Sequence, residues 1–150
     1  MRKAVVVYWS GTGNTQVMAE AVAKGIEEAG KAANLVPVDQ ADGNALLSEK
    51  AFALGCPSMG AEELEEAEME PFVQSLEGKI SGKKVLLFGS YGWGDGEWMR
   101  NWAERMKAAG AELVEEEGII VNEAPGTAGI TICVEAGKKL ALYLPECQEI

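Results

Sequence analysis

The 150-residue sequence predicts an α/β fold: a doubly wound, five-stranded parallel sheet with helices on both faces. Three observations predict it. Short β-branched apolar runs alternate with stretches of helical periodicity along the chain. The first run, residues 4–9, is apolar throughout, as a strand covered on both faces requires. Glycine-rich segments follow the first and fourth runs and a Met-Gly segment follows the third, where the carboxyl ends of parallel strands form a ligand crevice. Right-handed crossovers favour the doubly wound arrangements, but these residues alone leave strand order open.

Each element has its own justification. Over residues 15–29, Met18, Val22, Ile26 and Ala29 recur at helical spacing, and Gly30 follows as a C-cap. Residues 35–38 read as a short strand that Pro37 places at a sheet edge. A third strand spans 50–55, and a helix is expected over 63–76 with Pro71 kinking it. Residues 84–89 are the fourth strand. The helix 97–109 aligns Trp98, Trp102 and Met106 and ends at Gly110. The fifth strand covers 119–121, with 112–115 leading into it. A last helix over 129–144 carries Ile130, Val134, Gly137, Ala141 and Leu144 on one stripe. No linker or repeat interrupts the pattern, so one domain is expected, with a loose tail at about 145–150.

Composition narrows the chemistry. Lys and Arg number 13 against 24 Asp and Glu, a net charge of −11. Such a surface is repelled by nucleic acid and by anionic membranes, and suits a basic protein partner. The absence of histidine removes Ser-His-Asp triads and His-ligated metals. Cys56, Cys133 and Cys147 lack the spacing of zinc, iron–sulfur or dithiol sites, and a sparse odd count suits a reducing cytoplasm. The N-terminal apolar run is too short for a signal sequence or a membrane span.

Three segments carry the candidate chemistry. Ser10-Gly11-Thr12-Gly13-Asn14-Thr15 joins the first strand to its helix. Two glycines let the backbone close on an anion, and the helix start offers unpaired N–H groups. No Lys follows, which excludes a Walker A loop, and Gln16 stands where a dinucleotide fingerprint needs its third glycine. A phosphate monoester bound without a counter-cation fits, against the plainer reading of a capped turn. The second segment, Cys56-Pro57-Ser58-Met59-Gly60, runs through Ala61 and Glu62 to Glu63 and offers a polarizable Met and an acceptor carboxylate to a flat heteroaromatic ring. Cys56 itself reads as a small buried hydrophobe. In the third, residues 90–98, glycines interleave with Tyr91, Trp93 and Trp98. Trp93 is the candidate stacking platform and Trp98 core. Residues 10–15, 56–63 and 89–97 contain no Lys or Arg, which suits a cofactor that must stay hard to reduce.

These residues resemble the flavodoxins, specifically the short-chain type of anaerobic bacteria. The runs from Tyr8 to Thr15, Gly55 to Gly60 and Phe88 to Trp98 match that family's phosphate loop and two isoalloxazine loops in order and spacing, and the resemblance extends to about Leu144. It implies a flavodoxin-like sheet of order 2-1-3-4-5 and one non-covalent FMN. It also implies a low-potential one-electron carrier, not an enzyme, cycling between semiquinone and hydroquinone in place of ferredoxin. Residue by residue, it implies that Ser10, Thr12, Asn14 and Thr15 bind the phosphate within the loop that Gly11 and Gly13 shape. Met59 and Trp93 would flank the flavin, with Pro57, Ser58 and Gly60 beside Met59. Glu63 would accept from flavin N3, and Ser90, Tyr91, Gly92 and Gly94 would meet the pyrimidine end. Asn122 is a weaker ribityl candidate, and the Met59–Gly60 peptide resembles the family's flipping unit. Pro57 and Ala61 depart from relatives that carry Ser and an acid there.

A flavin reductase is the nearest rival, but its pyridine nucleotide needs cations that these loops lack. A receiver domain needs carboxylates where Ser10-Gly11 and Gly55-Cys56 stand. The run Glu62, Glu63, Glu65, Glu66, Glu68, Glu70, with Asp95 and Glu97 opposite, is either a solvated face or a docking ring around the cofactor. The expected partners are redox proteins with basic docking surfaces, met by a cytoplasmic monomer.

Overall fold

The computed structural model describes residues 3–11, 13–92 and 94–144. Thr12, Trp93 and the tail 145–150 lie outside the described residues. The strands are β1 (Lys3–Tyr8), β2 (Ala32–Pro37), β3 (Ala51–Gly55), β4 (Lys84–Tyr91), β5 (Glu112–Leu113) and β6 (Ile119–Asn122). The helices are α1 (Asn14–Glu28), α2 (Gly43–Leu47), α3 (Met69–Leu76), α4 (Glu97–Ala108) and α5 (Gly126–Ala141). The sheet runs β2-β1-β3-β4-β5 with every pair parallel. β6 also pairs with β4, Phe88 opposite Ile119 and Tyr91 opposite Asn122. The fifth position is thus two short strands, one on each half of the same flank, in agreement with the doubly wound order 2-1-3-4-5.

The period of two in the strands divides the core. Val7, Phe52, Leu54, Val85 and Leu87 face one side with Leu46, Met69, Val73, Trp98, Trp102 and Met106 from α2, α3 and α4. Ala4, Val6, Ala53, Leu86 and Phe88 face the other with Met18, Val22 and Ile26 of α1 and Cys133, Ala136 and Leu140 of α5. Trp98 and Trp102 are buried, as their stripe predicts. On the α1/α5 side two glycines bring backbone against backbone: a Cβ at Gly25 would sit 1.9 Å from the Val134 carbonyl oxygen, and one at Gly137 would sit 2.1 Å from that of Val22.

Three expectations change. The helix expected over 63–76 begins only at Met69. The Glu65 carboxylate, far from facing solvent, accepts the amides of Ala67 (2.8 Å), Glu68 (2.8 Å) and Met69 (2.9 Å) and so closes the turn that precedes α3. Pro71 then falls in the first turn, where its missing N–H costs nothing, and no kink is needed. The short helix α2 was unanticipated; Asp42 caps it by accepting from the Asn44 amide at 2.9 Å. The last helix starts at Gly126, three residues early.

Candidate functional site

A cleft of about 580 Å³ opens at the carboxyl ends of β1, β3 and β4, in the range of small-molecule sites. The first loop contributes Gly11 and Asn14 to its walls, the second Pro57, Ser58 and Met59, and the third Ser90, Tyr91 and Gly92. The three predicted segments therefore meet in one place. Trp9, Glu123 and Ala124 line it too, and none of them was a candidate from sequence. The cleft's lining contains no Lys or Arg among the described residues.

The first loop is tied from within. Ser10 Oγ accepts the amides of Gly13 (3.1 Å) and Gln16 (3.3 Å), which leaves its hydroxyl proton to donate outward. Gly13 turns the chain into α1 at φ 97°, a conformation that favours glycine. The amides of Gly11 and Thr15 have no acceptor among the described residues. Buried Thr15 is bound to β4: its Oγ1 lies 3.0 Å from Ser90 Oγ and accepts the Ser90 amide at 3.3 Å. The Trp9 ring packs under Gly11, where a Cβ would come within 3.0 Å of it, and its indole N–H donates to Glu68 at 3.2 Å.

The second loop is a tight turn closed by two backbone bonds of 2.8 Å, Met59 N–H to the Glu63 carbonyl and Glu63 N–H to the Met59 carbonyl. Gly60 and Glu62 both take positive φ there, 52° and 56°. Because the Met59 carbonyl is committed to Glu63, the Met59–Gly60 peptide cannot turn without breaking that bond. The Gly60 carbonyl has no partner among the described residues, so Gly60–Ala61 is the peptide free to rotate. The Glu63 side chain is exposed and lines a second cleft, of about 350 Å³, with Glu66, Trp102 and Arg105. Glu62 instead reaches across to the third loop, where Oε1 accepts the amides of Gly96 (3.1 Å) and Glu97 (2.8 Å). Asn122 sits at the end of β6 and donates to the Tyr91 carbonyl at 3.2 Å; Glu123, at φ 57°, donates its amide to the same carbonyl at 2.7 Å. Tyr91 leans on Trp98 with ring centroids 5.6 Å apart, and Trp98 fixes the base of the second loop by donating to the Cys56 carbonyl at 3.0 Å.

The electrostatics divide the acidic run. Burial pushes the Glu65 carboxyl up, but its three backbone donors outweigh burial and hold it below the usual carboxylate range. Glu65 is structural and drops out of any docking ring. Glu70 is paired bidentately with Arg105, and Asp95 with Arg100 at 2.9 Å. Glu63, Glu66, Glu97 and Glu123 make no ion pair among the described residues. Burial drives the Cys56 thiol up to about 12, which keeps it protonated and inert beside the cleft.

With this geometry in view, the relatives are decisive. The flavodoxin family model matches residues 6–137. The chain is 54% identical to the flavodoxin of Clostridium beijerinckii over 136 residues, covering 91% of this chain and 97% of that one. The chain belongs to the flavodoxin family. Identity to the flavodoxin of Megasphaera elsdenii is 44%, over 91% of this chain and 96% of that one. The solution structure of the two-electron reduced form of that flavodoxin matches with a TM-score of 0.84 over 93% of this chain and 98% of that one. As a flavodoxin, the protein is a low-potential electron carrier that binds FMN and stands in for ferredoxin; it is not an enzyme. No helix among the described residues is long and apolar enough to cross a membrane.

Proposed function

We propose that the 580 Å³ cleft is the FMN site, with the phosphate at the head of α1 and the ring between the second and third loops. The observation that carries this is the donor set of the first loop. The amides of Gly11 and Thr15, which have no acceptor among the described residues, and the outward proton of Ser10 suit a phosphate dianion held by neutral donors alone. Asn14 and Thr12 add side-chain donors, and Gly13 shapes the turn. Pro57, Ser58 and Met59 form the inner wall. Tyr91 and Gly92, with Ser90 before them and the Tyr91 carbonyl clamped by Asn122 and Glu123, form the opposite wall, and the aromatic Trp93, next in sequence before Gly94, is the residue suited to stack on the ring. Gly60 gives the inner turn its freedom, and Glu63 and Glu62 supply its carboxylates. When bound, FMN supplies one-electron redox chemistry. The chain's part is to hold it, exclude water from its faces, and set beside it the Glu123 carboxylate with no Lys or Arg among the described lining residues. Added negative charge is disfavoured there, which lowers the potential. Glu123 lines the cleft, and Glu66 and Glu97 follow the second and third loops; none of the three makes an ion pair among the described residues, which supports docking to basic surfaces of redox protein partners by a cytoplasmic monomer.

The test is a fluorescence titration of the FMN-stripped protein with FMN and with riboflavin, followed by sedimentation of the loaded protein. Riboflavin should bind at least tenfold more weakly, and the loaded protein should sediment as a monomer. Equal affinities would remove the phosphate from the first loop.

A further inference from the structure

We infer that Trp9 is a positioning residue for the phosphate end of the cofactor: its indole is a wedge under Gly11, anchored through Glu68 to the start of α3. The role rests on the cofactor placement above, which makes the Gly11 amide one of the phosphate donors. Trp9 stands one residue beyond β1, yet its own amide still donates to the Gly55 carbonyl of β3 at 3.0 Å, so the side chain leaves from a fixed backbone. Val5, Val7 and Trp9 share one side of the strand, as a period of two requires, and pack against the core under α2, α3 and α4. The indole is thus the last member of a core row, and it ends in the wall of the cleft.

Two contacts fix what the ring does. On one side it meets Gly11, where a Cβ would lie 3.0 Å from Cη2 and 3.2 Å from Cζ3. Gly11, unlike Gly13, does not take a positive φ, so the indole, not the turn, is what crowds a side chain there. Glycine's freedom is a liability where a donor must stay aimed, and a ring lying against it removes part of that freedom. On the other side the indole N–H donates to Glu68 Oε1 at 3.2 Å. Glu68 is itself held twice: its amide donates to the inward Glu65 carboxylate at 2.8 Å, and its carbonyl accepts the Phe72 amide at 3.2 Å as α3 begins. The acidic run therefore reaches, through Glu65, Glu68 and the indole, to the loop assigned to the phosphate. A dianion held by neutral donors alone depends on each of them keeping its place. No Lys or Arg among the described lining residues makes up for a donor that wanders.

The experiment titrates FMN and riboflavin into the FMN-stripped wild type, Trp9→Ala, Trp9→Phe, Glu68→Ala, Glu68→Gln, and Gly11→Ala alone and together with Trp9→Ala. The phosphorus NMR shift of bound FMN is a second readout. The quantity read is the ratio of FMN to riboflavin affinity, which a general loss of stability or of cleft packing does not move. Trp9→Ala should lower the ratio about 5- to 30-fold, the effect of one misplaced donor, and displace the phosphorus signal. Trp9→Phe and Glu68→Ala, which break the indole bond but keep a ring under Gly11, should lower it by a smaller factor. Glu68→Gln keeps an acceptor oxygen and should stay within about twofold of the wild type. Gly11→Ala should lower the ratio in the wild type and do so less when residue 9 is already alanine, because the methyl then has room. An unchanged ratio in Trp9→Ala overturns the wedge, as do equal losses for the two ligands, which would make the indole a packing residue only. A wild-type ratio in Glu68→Ala overturns the anchor to α3, and additive losses from Gly11→Ala and Trp9→Ala overturn Gly11 as the point of contact. If Trp9→Ala does not fold, Trp9→Phe and Glu68→Ala decide by the same outcomes. A failure of the cofactor placement itself shows separately, as equal FMN and riboflavin affinities in the wild type.

Discussion

Ser10 serves two purposes with one hydroxyl, accepting two loop amides and keeping its proton for the phosphate. Ser10→Ala leaves both amides without that acceptor and removes one donor from the dianion. Each lost partner costs about 1–3 kcal/mol. FMN affinity should fall by at least tenfold while riboflavin affinity changes little, which paired titrations will show; equal losses would mean the hydroxyl only shapes the loop. Glu65 makes the opposite use of a polar group, turned inward on three backbone donors. Its folded pKa lies below the ordinary one, so its contribution to stability is complete above the unfolded value of about 4.3 and is lost as pH falls through the folded value. Glu65→Gln should cost about 1–3 kcal/mol at pH 7 and flatten the acid limb of stability against pH. Urea unfolding between pH 3 and 7 checks both, and an unchanged acid limb would place the proton uptake on other carboxylates.

Helix α1 and helix α5 show how a residue's absence of side chain builds an element pair. Gly25→Ala gains about 1 kcal/mol of helix propensity, but its Cβ would meet the Val134 carbonyl at 1.9 Å, and a backbone atom cannot rotate away. Overpacking of about 2–3 kcal/mol should win by about 1–2 kcal/mol, lowering Tm by about 2–8 °C. A calorimetric scan showing a raised Tm would mean that the helices slide apart freely. Elements of this kind were legible where the signal was local: the apolar runs of β1, β3 and β4, the Trp98–Trp102–Met106 stripe of α4, and the three ligand loops all follow from neighbours in sequence. The start of α3 was not legible. Its acidic residues look helical, and only the tertiary fold shows Glu65 turned in, with its amide donating to Cys56 Sγ at 3.4 Å. Trp9, Glu62 and Glu123 were missed as site residues for the same reason. Each acquires its place from a partner at least 32 residues away: Glu68 for Trp9, Gly96 and Glu97 for Glu62, and Tyr91 for Glu123. The split fifth strand belongs here too, since nothing local to residues 112–122 says that β4 will hold both halves.

At the scale of the molecule, 11 net negative charges act together on any partner that approaches, but only those near the opening and free of ion pairs can steer it to the cofactor. Glu65 is buried, Glu68 holds the Trp9 indole, and Glu70 and Asp95 are paired with arginines. Glu63, Glu66 and Glu97 remain exposed, clear of the cleft's lining and without an ion pair among the described residues; outside the turn 59–63 they are Glu66, after the second loop, and Glu97, after the third. Exposed charges are screened beyond about 8–10 Å at physiological salt. If they steer, the second-order rate of electron transfer to a basic redox partner should fall steeply with ionic strength. Replacing Glu66 and Glu97 by Gln should flatten that slope and leave the rate at high salt unchanged, because contacts made after encounter are not altered. The same pair of changes at Glu20 and Glu27 on α1 removes as much net charge and should act less. Stopped-flow rates across a salt series separate the cases. Equal slopes for the two double variants would assign the effect to total charge and dissolve the ring; a slope already flat in the unaltered protein would leave Glu66 and Glu97 as solvated side chains.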